Sequence, residues 1–192
     1  TRIAYVAKNN LHVQDLADLK VAAITTDGSD TLLNGVSDWV NEEELGLRDA
    51  FRWNPDGSRI AFWQFDTSGV KRFSLVNQTE GLYPSITTFP YPKAGERNSA
   101  VRLGVIGAAG GEVRWIGTPG GPREHYLPSA EWTPDGKAIL VQQFNRLQDT
   151  LRLFLADPAS GAAKEIMAEK DEAWVENRNT GLKWVGDSFL WL

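Results

Sequence analysis

One turn recurs along this chain, and it limits the fold more than any other feature. The stretch Phe51-Arg52-Trp53-Asn54-Pro55-Asp56-Gly57-Ser58-Arg59-Ile60-Ala61-Phe62-Trp63-Gln64-Phe65-Asp66 has a partner in Ala130-Glu131-Trp132-Thr133-Pro134-Asp135-Gly136-Lys137-Ala138-Ile139-Leu140-Val141-Gln142-Gln143-Phe144-Asn145. Both read Trp-x-Pro-Asp-Gly and continue into an apolar run. A weaker copy surrounds Trp184, and Thr1–Val6 match Ser58–Trp63 as the second half of the same unit. Pro fixes φ at the second turn position, Asp bonds its own backbone, and Gly accepts positive φ. The flanking runs are rich in β-branched and aromatic residues, so each copy predicts a hairpin of buried strands.

Further turn signals fall between the hairpins, at Thr26-Asp27-Gly28, Gly110-Gly111, Pro119-Gly120-Gly121 and Asp157-Pro158-Ala159-Ser160-Gly161. Leu151–Asp157 reads as a third strand and Ala163–Ile166 as a fourth, which makes the unit a four-stranded propeller blade. Equivalent positions lie 57 residues apart from Ile3 to Ile60, 79 from Ile60 to Ile139, and 52 from Trp132 to Trp184. A blade takes roughly 40–50 residues, so the long middle interval holds an insertion of about 25. The expected fold is all-β, a partial β-propeller of three to four four-stranded blades, because so few blades close no ring. A complete β-sandwich is the plainer alternative. Eight Trp and eighteen Gly suit repeated blade packing and many turns.

Composition removes several functions. With 20 Lys and Arg against 25 Asp and Glu, the net charge is −5 and offers no basic surface for nucleic acid. No apolar run reaches the roughly 18 residues of a membrane span, and no signal peptide is expected in residues 1–20, which carry Asp15, Asp18 and Lys20. There is no cysteine, and His12 and His125 are 113 residues apart, so no metal or other cofactor is expected. Gly107-Ala108-Ala109-Gly110-Gly111 lies between strands and reads as a turn, not a phosphate loop. His125 reads as a blade-junction residue, and Trp53, Trp132 and Trp184 as packing between blades.

Asp38, Glu42, Glu43 and Glu44 place four carboxylates in seven residues. Taken alone they fit a helix start, with Asp38 as N-cap and acids in the first turns facing the positive end of the dipole. Trp39, Val40, Leu45 and Leu47 suggest that this helix is tucked against a blade.

Ser37-Asp38-Trp39-Val40-Asn41-Glu42-Glu43-Glu44-Leu45 resembles the Asp-Trp-Val-Tyr-Glu-Glu-Glu motif of the dipeptidyl peptidase IV family. Phe89-Pro90-Tyr91-Pro92-Lys93-Ala94-Gly95-Glu96-Arg97-Asn98 is similar to that family's Pro-Tyr-Pro-Lys-Ala-Gly-x-x-Asn segment, in the same order along the chain. Val101–Val105 and Glu124–Leu127 continue the match, which loosens after about residue 145. The resemblance implies that residues 1–192 are a fragment of the eight-bladed N-terminal propeller of a serine exopeptidase. Such an enzyme releases Xaa-Pro or Xaa-Ala dipeptides, and its catalytic α/β-hydrolase domain is expected to be absent here. No Gly-x-Ser-x-Gly elbow occurs, so no catalytic residue is assigned and the fragment by itself should be inactive.

By position in that motif, the resemblance implies that Glu43 and Glu44 bind the substrate's α-ammonium, while Glu42 is expected to face solvent or a neighbouring Arg. An ammonium offers three N–H donors, and two adjacent carboxylates accept charge-assisted bonds from it and keep it protonated. A peptide nitrogen offers one donor and no charge, so the pair would count residues from a free N-terminus. Asn41 stands where the family has Tyr and so alters the pocket's flank. The implied partners are peptides with a free N-terminus, the parent's hydrolase domain, and a second copy paired through an arm at about 70–95. That arm should carry an alternating apolar face of Leu82, Tyr83, Ile86, Phe89 and Tyr91. Trp174, Asn177 and Arg178 fall where the family places a cavity-lining loop, and the compartment expected is periplasmic or secreted. A non-catalytic propeller serving as an interaction module or scaffold is the rival reading.

Overall fold

The computed structural model describes residues 1–177, 182–186 and 188–191. The first sheet is a meander of β1 (Arg2–Ala7), β2 (Asn10–Asp15) and β3 (Val21–Ala23). The second unit begins with β4 (Leu32–Asn34), a single helical turn α1 (Trp39–Glu43), and β5 (Phe51–Trp53). It continues through β6 (Arg59–Asp66), β7 (Arg72–Asn77), β8 (Ser85–Pro90), β9 (Ala100–Gly107) and β10 (Arg114–Trp115). In its sheet β10, β9 and β6 follow one another, and β4 and β5 both pair with β6 at opposite ends. The third sheet is a clean four-stranded meander of β11 (His125–Trp132), β12 (Ile139–Asn145), β13 (Thr150–Ala156) and β14 (Ala163–Lys170). A last hairpin pairs β15 (Leu182–Val185) with β16 (Ser188–Trp191). All neighbours are antiparallel, and the sheets do not close on themselves, which is the expected partial propeller. The expected four strands per blade hold for the third sheet. The first has three, and the second has a split edge.

The repeated turn has the geometry its residues dictate. Gly57 and Gly136 sit at φ +70° and +69°, donating to the carbonyls of Asn54 and Thr133. Asp56 accepts from the Ser58 amide at 2.7 Å and Asp135 from the Lys137 amide at 3.1 Å. Hydrogen bonds from Ser58 hold Asp56, and those from Lys137 and Thr133 hold Asp135, below the usual carboxylate range.

β6 shows why a continuous apolar run belongs here. Successive side chains alternate between faces, and both faces of this strand are covered. Ile60 and Phe62 pack with Leu11 and Val13 of the first sheet and with Ile24 just beyond its last strand. Ala61, Trp63 and Phe65 pack with Leu127, Ala130, Ile139 and Val141 of the third. The Trp63 indole crosses that boundary and donates to the Leu127 carbonyl at 2.8 Å. Of the repeated tryptophans, Trp132 bridges units, donating to the Arg52 carbonyl at 3.1 Å.

β7 and β8 form a hairpin of their own, outside the blade sheet, between β6 and β9, which pair directly. The apolar residues expected on one face of this arm do not share one. Phe89 opposes Phe73, while Ile86 opposes Val76 three residues away and so on the other side. Leu82 and Tyr83 lie at the tip, 92% and 82% exposed.

Candidate functional site

The acidic segment is an excursion, residues 35–50, between two halves of one edge strand. β4 and β5 are both hydrogen-bonded to β6, and the chain leaves at Asn34 and returns at Phe51. The backbone of Trp63 grips both sides of the neck, its carbonyl accepting from Gly35 and its amide donating to Ala50. A bridge between Val36 and Asp49 closes the neck above. Gly35 is required there: its φ is +75°, and a Cβ would press on Leu11 and Val6 at 3.2 Å.

A polar network fixes the end of β4 from below. Asn34 donates to Asp27 at 2.8 Å and accepts from Gln64 at 2.7 Å. Gln64 in turn accepts from Arg102 at 2.9 and 2.6 Å. The Arg102 guanidinium lies 3.5 Å from the Trp115 ring centroid. Burial pushes its pKa down, and the Asp27 and Asp66 carboxylates push back.

Within the excursion α1 has five residues, too few to be helical in isolation. Asp38 caps it, its Oδ1 accepting from the Asn41 amide at 3.0 Å and from Asn41 Nδ2 at 2.7 Å. Gly46, at φ +68°, ends the turn and donates back to the Glu42 carbonyl. Leu45 is buried with Tyr126, Phe144, Leu151 and Val175, and Leu47 joins the main core. Two separate clusters, the one around Leu47 shared by the second and third sheets, therefore hold one short segment. Asn41 is buried and bonded to the cap, so it sits inside the turn rather than on a pocket's flank.

The acids divide as the spacing of so short a helix requires. Glu42 occupies the first turn and reaches Arg48 at 3.9 Å. Glu43 is the last helical residue and Glu44 the C-cap, so neither faces the positive end that the sequence reading allowed. Both are exposed, and among the described residues neither makes a salt bridge. Two adjacent carboxylates at the C-terminal end of a helical turn are unfavourable to the fold, and neither is buried in packing.

Beside them the arm closes a groove. Trp39 packs at a tilt against Tyr91 with centroids 4.4 Å apart and meets Phe89 at 6.4 Å. Phe73 completes the cluster 5.4 Å from Tyr91. The groove between α1 and the hairpin holds about 560 Å³, and Glu44 and Lys93 are among its lining residues.

His125 is buried at the junction of the second and third units, its Nε2 3.2 Å from the Val101 carbonyl, and burial pushes its pKa down. Asn177 donates to the Leu45 carbonyl at 3.3 Å, which brings its loop to the acidic segment. Trp174 is exposed, and Arg178 lies outside the described residues. No cluster of three His, Cys, Asp or Glu suited to a metal occurs among the described residues. The Asp27–Asn34–Gln64–Arg102 network was not singled out in the sequence. Its one signal is Gln64, polar within an otherwise apolar strand.

The comparisons with known proteins fall on one family. The model of the dipeptidyl peptidase IV (DPP IV) N-terminal region matches residues 1–192. The probable dipeptidyl-aminopeptidase B of Emericella nidulans is 35% identical, covering 91% of this chain and 21% of that protein. The inactive dipeptidyl peptidase 10 of Mus musculus is 30% identical, covering 93% of this chain and 23% of that protein. Among solved structures, Porphyromonas gingivalis dipeptidyl peptidase 4 superposes with a TM-score of 0.88 at 30% identity, covering 96% of this chain and 26% of that one. The chain thus spans between a fifth and a quarter of the curated relatives' length.

Proposed function

This chain belongs to the dipeptidyl peptidase IV N-terminal region family, and from that premise we propose that it is the substrate-binding propeller portion of a serine-type dipeptidyl peptidase. In this reading Glu43 and Glu44 anchor the free α-ammonium of a peptide whose first two residues, Xaa-Pro or Xaa-Ala, are then released. One observation carries it. Both carboxylates stand exposed at the C-terminal end of α1, without a salt bridge among the described residues, on a segment held at both ends. An arriving ammonium supplies the positive charge that this helix end lacks, and its donors match acceptors already in place. The nucleophile and its base would come from the parent's hydrolase domain. The arm at about 70–95, with its exposed tip, would support pairing of two copies, and a periplasmic or secreted setting suits an enzyme that meets peptides.

The test uses the full-length protein with Glu43→Gln and Glu44→Gln, assayed on an Xaa-Pro substrate with a free or an acetylated amine. Each variant should lose at least about tenfold in kcat/KM on the free amine, since a hydrogen bond to a charged group contributes about 1.5–3 kcal/mol. Kinetics like the parent's in both variants would sink the assignment. A second reading, binding without turnover, is favoured by the relative named an inactive dipeptidyl peptidase. It predicts that the free-amine preference persists in a binding assay where no hydrolysis is seen.

A further inference from the structure

We infer that the pocket at the His125 end of the third sheet binds a small oxyanion that still carries a proton, inorganic phosphate, and rejects sulfate. No residue of the acidic segment lines it, so this stands or falls separately from the role of Glu43 and Glu44. The pocket holds about 190 Å³ between the Pro119–Gly120 loop and the sheet. That is below the roughly 300–1,000 Å³ of a drug-sized ligand site and leaves room for several waters at roughly 30 Å³ each, which suits one small ion.

Strand register gathers the polar side chains. His125 opposes Asn145, Gln143 opposes Arg152, and Thr150 opposes Lys170, and such partners project from the same face of a sheet. Two of these lining residues are cations. Lys170 makes no salt bridge among the described residues, and Arg152 has a long one, 3.8 Å to Glu165 between half-exposed side chains. Asn145 Nδ2 and Thr150 Oγ1 already donate to Asp149, at 2.7 and 3.0 Å. Attraction for an anion therefore falls to Lys170 and Arg152.

Two acceptors in the same lining decide which anion. His125 is 5% exposed, and its Nε2 lies 3.2 Å from the Val101 carbonyl, which can only accept. Burial outweighs the Val101 and Pro119 carbonyls and Glu124, all of which favour a proton on the ring, and keeps it neutral. The single proton of the neutral ring then belongs on Nε2, and Nδ1 is a bare acceptor. Nδ1 is buried without a partner. It is turned to the loop, 3.8 Å from where a Cβ on Gly120 would stand. The Pro119 carbonyl on that side is itself an acceptor and is taken by Gln143 at 2.9 Å. A buried acceptor without a donor is costly, so the pocket calls for a donor as well as negative charge. Glu124 adds a second acceptor. Phosphate near neutral pH keeps at least one P–OH group, which donates to Nδ1 or Glu124 while its charged oxygens meet Lys170 and Arg152. Sulfate brings acceptor oxygens and no proton, and meets both acceptors with lone pairs.

Calorimetric titration of the full-length protein with inorganic phosphate or sulfate, in a buffer containing neither, tests this. Saturable heat is the readout, because both salts stabilise folded proteins without any site. Phosphate should bind at least about tenfold more tightly than sulfate, the scale of one charge-assisted hydrogen bond. Lys170→Gln should weaken phosphate by about the same factor. Glu124→Gln replaces an acceptor with a group that also donates, and should narrow the preference to about threefold or less. Both residues are exposed, so neither variant threatens the fold. Equal affinities for the two anions, a phosphate affinity untouched by Lys170→Gln, or a preference untouched by Glu124→Gln would overturn the inference. So would the absence of saturable heat with either anion, which would leave Nδ1 to a water.

Discussion

Replacing Asp38 with Ala removes the one side chain that makes α1 a helix. Its Oδ1 accepts both the Asn41 amide and the Asn41 side-chain amide, at 3.0 and 2.7 Å, and both partners are buried. Loss of an N-cap costs about 0.5–2 kcal/mol. Leaving a buried donor without an acceptor adds about 1–3 kcal/mol, and no propensity in a five-residue helix compensates. A local loss of about 1.5–5 kcal/mol follows, equivalent to a rise of roughly 10- to 4000-fold in the opening equilibrium. Hydrogen exchange reads this directly, at the Glu44 amide bonded to Val40 and the Leu47 amide bonded to Asn41. Both should exchange faster by that factor in Asp38→Ala, and affinity for a free-amine peptide should fall with them. Asp38→Asn keeps an acceptor at the cap and should stay within about threefold of the parent. Unchanged protection of Glu44 and Leu47 in Asp38→Ala would show that Leu45 and Leu47 hold the segment by themselves, and the capping argument would be wrong.

Two further outcomes concern the scaffold. Gly161→Ala puts a Cβ into the Trp115 carbonyl at φ +80° and disturbs the bond from the Gly117 amide to the Gly161 carbonyl; about 2–3 kcal/mol should be lost. Gly57→Ala, at φ +70° with nothing near its Cβ, should lose only the conformational part, about 1–2 kcal/mol, and denaturant midpoints of the pair would expose an error if they shifted alike. Burial lowers the His125 pKa from its ordinary 6.5, so as pH falls below that value the unfolded chain takes up the proton first. Stability is full above about pH 6.5 and declines until pH passes the folded value; His125→Asn should flatten this decline in unfolding titrations at about pH 7.5 and 5.5.

The turn Trp-x-Pro-Asp-Gly was legible because its conformation is written in four adjacent residues. The double-sided burial of β6 was legible because a strand without polar alternation has no solvent face, and the Asp38 cap because N-caps act three residues away. What escaped depends on distant partners. β4 has three residues and no periodicity, and only its pairing with Phe65 and Gln64 makes it half of an edge. The run of acids reads as a first helical turn because the cap signals a helix start. Nothing local says that a buried Leu45 and a left-handed Gly46 end that helix after Glu43. The aromatic groove is equally non-local: Trp39 and Tyr91 are 52 residues apart in sequence, and register in β7 and β8 decides which arm residues face α1.

The repeat also explains how an unfavourable pair of acids is held still. Arg2 and Arg59, at equivalent positions of two copies of the repeat, each reach the turn of the next unit. Arg2 donates to the Gly57 carbonyl at 2.9 Å and lies 5.8 Å from the Trp53 ring, and Arg59 points to the Gly136 carbonyl at 3.5 Å and lies 5.3 Å from the Trp132 ring. These clasps tie the second unit to both its neighbours, and the second unit is the one that carries Glu43 and Glu44. In the third copy the equivalent position is Ala138, so the clasp stops there. If Glu43 and Glu44 hold an ammonium as proposed, that site gains from a backbone that keeps the acids from swinging to other partners. With the neck gripped by Trp63, the cap set by Asp38 and the parent unit clasped on both sides, Glu43 and Glu44 keep their place before any ligand arrives. In the proposed role, a bound ammonium would offset the repulsion between the two adjacent carboxylates.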